Sequence, residues 1–155
     1  GVEAPSLYNH IGSKSELLQA ICFKVAIEFT TQLDETENIN TGITNKIELI
    51  IRFHITMMLE EFDEVFVANH EWKHLQEPFL SNFLNQRRGY EKKLVTLIEE
   101  GIKKKELKNI NPYVVVLTLL SAVRGLEFWQ RHKKNISTKV LEDDMVAHLL
   151  NGITK

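Results

Sequence analysis

His70, Glu71 and His74 stand in the order His-Glu-Trp-Lys-His. On a helix, two histidines four residues apart share one face and can hold one zinc ion. The glutamate between them could then act as the base that activates a metal-bound water. The chemistry implied is metal-dependent hydrolysis, with Glu91, Glu99 or Glu100 as third ligand. Three features oppose it. Lys73 places a positive charge beside the second histidine, the helix is short and ends at Gln76-Glu77-Pro78, and no strand is evident to hold a substrate. A five-residue pattern also arises by chance. The expectation is therefore no catalytic residue, no metal and no cofactor, with a half-buried helix carrying a Glu-His contact. A metal-dependent hydrolase is the alternative. Cys22 is the only cysteine, so no disulfide forms within the chain, and a buried helical spacer describes it better than a nucleophile.

Apolar residues at helical spacing recur through the chain, and sustained alternation of period two is absent. The spacing predicts a first long helix from Ser13, where Ser13 and Glu16 form a capping box. Its stripe is Leu17, Leu18, Ile21, Val25 and Phe29, and it fades before the polar run 34–38. A second helix is predicted over 45–61, with Ile47, Ile50, Ile51, His54, Met58 and Phe62 on one side. A third starts at Asp63 and ends near Leu75. A fourth begins with Pro78 in its first turn and ends at Gly101 or the lysines after it. The fifth has Asn111 as cap and Pro112 at its start, is apolar nearly all round from Tyr113 to Val123, and extends to Trp129. The last is capped by Ser137, carries Val140, Leu141, Met145, Leu149 and Leu150, and stops at Gly152. The fold class is all-α, a helical bundle of about six helices.

The 155 residues are enough for one domain with a real core, and 43% of them are hydrophobic. The run Tyr113–Val123 is shorter than the roughly 20 residues that span a bilayer, so no membrane partner is expected. A cytoplasmic location fits the cysteine usage. The net charge of −2 shows no broadly basic surface. Phe128 and Trp129, with the stripe Val140, Leu141, Met145 and Leu149, form more apolar surface than one small bundle covers. A homodimer through the last two helices is the expectation.

The opening stretch Gly1–Leu18, "GVEAPSLYNHIGSKSELL", resembles the recognition-helix half of the helix-turn-helix in the TetR family of bacterial transcriptional regulators. Gly1-Val2 stands at the turn, followed by Ser6, Leu7, Tyr8 and His10 and then the Gly12-Ser13-Lys14 segment, at the family's spacing. A short helix from Ala4 to about Ile11 would be anchored by Leu7 and Ile11. Ser6, Tyr8, His10 and Lys14 would then meet phosphates, and Ala4, Pro5 and Asn9 the bases. Residues 1–13 are read as the remnant of the DNA-binding domain and 14–155 as a ligand-binding and dimerisation domain.

In the family, two helices precede this turn and carry much of the positive charge. The full protein is therefore expected to begin well before Gly1, and the 155 residues alone are expected to bind duplex DNA poorly. The resemblance implies a ligand-responsive, non-enzymatic regulator, a repressor released from operator DNA by a small apolar or amphipathic effector. The nominated pocket residues are His54, Met58 and Phe62, Asn69 and Trp72, Phe83, Arg87 and Tyr90, and Leu120 and Arg124. Arg87 or Arg124 would hold an acidic or polar end of the ligand, although Arg124 could instead pair with Glu127.

Overall fold

The computed structural model describes residues 4–131 and 135–155, with side chains over 12–129 and 135–155. Every regular element among them is helical. The order is α1 (Ala4–Glu37), α2 (Ile43–Glu60), α3 (Phe62–His70), a single 3-10 turn (Trp72–His74), α4 (Phe79–Lys103), α5 (Pro112–Arg124), α6 (Leu126–Arg131) and α7 (Thr138–Ile153).

Helix α2 is the hub and contacts all six of the others. Of the stripe read from sequence, Ile47, Ile50, Ile51 and Met58 are buried; Ile55 and Met57, which that reading did not name, are buried too, and Phe62 falls at the start of α3. Helix α2 starts earlier than expected, at Ile43, because its cap comes from far along the chain. Gly42 supplies no capping side chain, and the Glu106 carboxylate accepts from the Thr44 N–H at 3.1 Å.

Helix α1 departs from expectation at both ends. It runs without a break through Gly12 and Ser13, so the predicted short helix, turn and new start at Ser13 are replaced by one helix. A capping box is worth about 1 kcal/mol, whereas helix continuation adds a hydrogen bond for each residue fixed. At the far end α1 continues to Glu37. Leu33 and Thr36 are buried there, and Lys93 of α4 meets the carboxylates of Asp34 and Glu37. Lys46 Nζ and Asn38 Nδ2 donate to the carbonyls of Glu37 and Asp34, which the helix end would leave unsatisfied.

Helix α4 passes through Gly101, where a side chain would meet Leu107 and Ile43 at 2.6 and 2.8 Å. The glycine is there for close packing, and the stop lies later. Lys105 adopts a left-handed φ of 61°, and the N–H groups of Glu106 and Leu107 donate to the Gly101 carbonyl. A side chain in that conformation costs about 1–2 kcal/mol that glycine avoids. Lys105→Gly should therefore raise the unfolding free energy by about 1 kcal/mol in urea titrations, with the slope unchanged.

The Asn111 cap is present: its Oδ1 accepts from the N–H groups of Tyr113 and Val114. A helix apolar nearly all round is ordinarily buried on most sides, and α5 is not. Val115, Val116 and Val123 face the core, but Tyr113 and Leu117 are 70% and 66% exposed. Helix α5 packs along α2 and α4 on one side only. The apolar segment also reaches further than Val123. Pro112–Trp129 is 18 residues with mean hydropathy 1.3, and the turn at Gly125 divides it into α5 and α6. Helix α7 starts at its Ser137 cap, where Oγ accepts from the Val140 N–H. It passes through Gly152 and ends where Lys108 N–H donates to the Ile153 carbonyl. Arg52 ties α7 to the hub through Glu142 and Asp143, at 2.7 and 3.1 Å.

Candidate functional site

Five helices, α1 to α5, leave a cavity of about 100 Å³. Its apolar walls include Val25, Ala26 and Phe29 of α1, Met58 of α2, Val65 and Ala68 of α3, Phe83 of α4, and Leu120 and Val123 of α5. Of the nominated residues, His54, Met58, Asn69, Phe83, Arg87, Tyr90, Leu120 and Arg124 line this space. Phe62 and Trp72 do not. Phe62 packs beside Phe66, and Trp72 lies behind Arg87, whose guanidinium sits 5.6 Å from the indole centroid. Sequence reasoning missed the α1 wall. Val25 and Phe29 stood in a legible stripe, but periodicity does not tell a cavity wall from solid core.

Two polar groups of different character face the cavity. His54 Nε2 and Tyr90 Oη share a hydrogen bond of 2.8 Å, and Phe29 stacks on the imidazole at 4.5 Å. Burial first, and the nearby Arg124 charge second, push the His54 pKa down from 6.5 to about 3. Burial also raises the Tyr90 pKa. The pair is therefore uncharged at neutral pH and offers hydrogen bonds without charge. A pH effect on stability follows. The unfolded chain protonates His54 near 6.5 and the folded protein only near 3, so stability is fully present above 6.5 and is lost as pH falls through that window. The loss approaches about 1.4 kcal/mol per pH unit for one such group. In urea titrations, His54→Gln should show a shallower decline than the parent protein between those pH values.

Arg87 and Arg124 are the second group. Burial, then the like charge of Arg124, lower the Arg87 pKa, while Glu91 opposes the shift. Arg87 is also held against the Phe83 ring, 5.8 Å from its centroid. Among the described residues neither guanidinium has a carboxylate within salt-bridge distance. Glu127, the alternative partner for Arg124, is taken: His70 Nε2 lies 3.0 Å from both its carboxylate oxygens. Two cations facing an apolar space, with no bonded anion, suit a ligand with an apolar body and negative charge.

The helical pairing expected of His70 and His74 is absent. Helix α3 ends at His70, and His74 falls in the following 3-10 turn, where it meets Glu71 at 3.5 Å. The third-ligand candidates are elsewhere, with Glu91 at the cavity and Glu100 on Lys104 at 2.6 Å. Among the described residues no group of three or more His, Cys, Asp or Glu could hold a metal ion. Cys22 is buried, and burial raises its thiol pKa to about 11, which disfavours the thiolate.

Lys14 is exposed on α1. Ala4, Pro5, Ser6, Tyr8, Asn9 and His10 lie on the same helix, with side chains outside the described residues. Of the residues nominated for an interface, Phe128 and Val140 are 72% and 49% exposed, while Trp129, Leu141, Met145 and Leu149 are partly buried against the core.

Residues 40–153 match the sequence profile of the tetracyclin repressor-like C-terminal domain. The chain belongs to the TetR family of transcriptional regulators. No curated protein matches it in sequence. Among solved structures, a TetR/AcrR-family transcriptional regulator from Thermobifida fusca YX-ER1 is 23% identical with a TM-score of 0.78, covering 98% of this chain and 81% of its own. The ketosteroid transcriptional regulator KstR2 of Mycobacterium tuberculosis is 16% identical with a TM-score of 0.84, covering 100% and 80%. AibR, in complex with isovaleryl coenzyme A and operator DNA, is 21% identical with a TM-score of 0.79, covering 94% and 80%. At these identities the likeness is one of fold. Within the TetR chain, the profile covers four of the five helices that wall the cavity, α2 to α5, while α1 lies before it.

Proposed function

We propose that this TetR-family chain is the sensing and dimer-forming part of a non-enzymatic, cytoplasmic transcriptional repressor. It binds operator DNA as a homodimer and lets go when a small apolar or amphipathic effector carrying negative charge enters the cavity. The observation that carries this reading is the apolar space faced by the guanidinium groups of Arg87 and Arg124, neither of which has a carboxylate within salt-bridge distance among the described residues. The fold neighbour AibR, seen with isovaleryl coenzyme A and operator DNA together, supports by analogy a small ligand and operator DNA as partners, and the release step is part of the proposal alone. Ala4, Pro5, Ser6, Tyr8, Asn9, His10 and Lys14 are the DNA-contacting residues in this reading. Residues 1–13 belong to the DNA-binding domain and 14–155 to the sensing domain. The cavity wall on α3 leads through His70 to Glu127 of α6, which gives effector binding a route to the dimer face.

Thermal denaturation with fatty acids, acyl thioesters and aromatic acids tests the reading. Anionic members should raise the melting temperature, and uncharged isosteres such as methyl esters should not. Arg87→Gln with Arg124→Gln should weaken binding by at least about tenfold, from the loss of charge-assisted hydrogen bonds. Absence of stabilisation by every compound would remove the effector claim.

A further inference from the structure

One pair of side chains in the cavity has hydrogen-bonding capacity to spare. His54 and Tyr90 meet at 2.8 Å, and among the described residues neither has a second hydrogen-bond partner. A neutral imidazole offers one donor and one acceptor, and a phenol offers a donor and two lone pairs, so one shared bond leaves most of that capacity unused. Both residues keep some accessible surface, and both line the cavity. Burial holds His54 uncharged and Tyr90 protonated at neutral pH. The pair therefore suits a neutral polar group better than a charge.

Its polarity is also adaptable. If the Tyr90 O–H donates to Nε2, the phenol oxygen is free to accept. If Nε2–H donates to the phenol oxygen, the O–H is free to donate. A ligand hydroxyl both donates and accepts, so either arrangement matches it. A plain hydrocarbon in the same place would cut the pair off from water and leave its spare positions unmet.

The rest of the polar lining is placed differently. Gln86, Glu91 and Arg124 are exposed and mark the open side of the space. The Thr30 hydroxyl is committed to the Ala26 carbonyl at 2.8 Å. The body that fits between the arginines and the pair is small. The cavity of about 100 Å³ is on the order of the roughly 150 Å³ site that takes a benzene ring. Phe29 stacks on His54 at 4.5 Å and stands edge-on to Tyr90 at 6.1 Å, so a further flat ring would meet aromatic faces and edges.

Resting on the proposed reading of the cavity as an effector site, we infer that the effector is a small hydroxylated aryl carboxylate, with its carboxylate at Arg87 and Arg124 and its hydroxyl on the His54–Tyr90 pair. The arginines select for charge, and the pair selects among acids for the one that carries a hydroxyl.

Isothermal titration of the 155-residue chain with ortho-, meta- and para-hydroxybenzoate, the matching fluorobenzoates and phenol tests this. At least one hydroxybenzoate should bind about tenfold or more tighter than its fluoro counterpart, which has similar size and charge but no hydroxyl. The same compound should exceed phenol by about tenfold or more, because phenol brings no charge to the guanidinium groups. Tyr90→Phe keeps the ring and removes the hydroxyl of the pair, and it should bring the hydroxy-to-fluoro ratio to within about threefold of unity. If that variant does not fold, the comparison of ligands on the parent chain decides by itself.

Equal binding of every hydroxybenzoate and its fluoro counterpart would overturn the inference. A ratio left untouched by Tyr90→Phe would overturn it too, by giving the hydroxyl to another lining group such as Asn69. In either case a cavity that still binds benzoates through Arg87 and Arg124 leaves the effector reading standing. Phenol binding as tightly as the best hydroxybenzoate would overturn the inference by taking the carboxylate out of recognition. No binding by any of these compounds would also overturn it, and the panel of other anionic apolar compounds then decides the effector reading separately.

Discussion

Replacing Ile55 with alanine should lower the unfolding free energy by about 2–5 kcal/mol, the largest stability loss expected from a single change in this protein. Ile55 is fully buried on α2, the helix against which all the others pack. Because α2 packs against six other helices, no single element is expected to shift and fill the space left by the lost methyl and methylene groups. The cost is the transfer term for those groups plus the cavity that remains. For a chain of this length the melting temperature should fall by about 5–15 °C. Urea denaturation of the variant beside the parent protein measures it directly. A loss under about 1 kcal/mol would mean that the hub relaxes freely and that α2 is not the centre of the core.

The second large effect concerns association. Leu117→Glu combined with Phe128→Glu should convert a dimer into a monomer, raising the dissociation constant by about a thousandfold or more. Tyr113, Leu117 and Phe128 lie 66–72% exposed along α5 and α6, and Val114 of α5 is about half exposed. A run of large apolar side chains on adjoining helices is costly in water, and a second copy of the same face would cover it. Under a twofold axis each substitution appears twice, so the double variant sets four carboxylates into one contact and like charges oppose each other across it. Sedimentation velocity should give a dimer for the parent chain and a monomer for the variant, with the helical circular dichroism unchanged. A parent chain that sediments as a monomer at micromolar concentration would sink the homodimer proposal.

Much of this helical frame can be read from residues within four positions of one another. Asn111 and Ser137 cap α5 and α7 as their types and positions imply, and the isoleucine stripe of α2 is buried as its spacing requires. The opening stretch carries the family resemblance that the profile over 40–153 supports from the rest of the chain. Eight cavity residues were named from their helical spacing and chemistry once the family resemblance implied a pocket among the helices.

What the sequence determined by itself is therefore the all-helical class, most of the helices and their stripes, and the family. Those features rest on backbone hydrogen bonds and side-chain neighbours three or four residues away, which a linear reading can see. Only the tertiary structure decided which face of α5 stays uncovered, that α1 continues through Gly12, and that α3 stops at His70 with its histidine turned to a carboxylate 57 residues away. It also decided that Arg87 and Arg124 share one apolar space while Glu127 is drawn elsewhere. Pairing and burial at such separations depend on how whole helices pack, and near neighbours in the sequence carry no record of it.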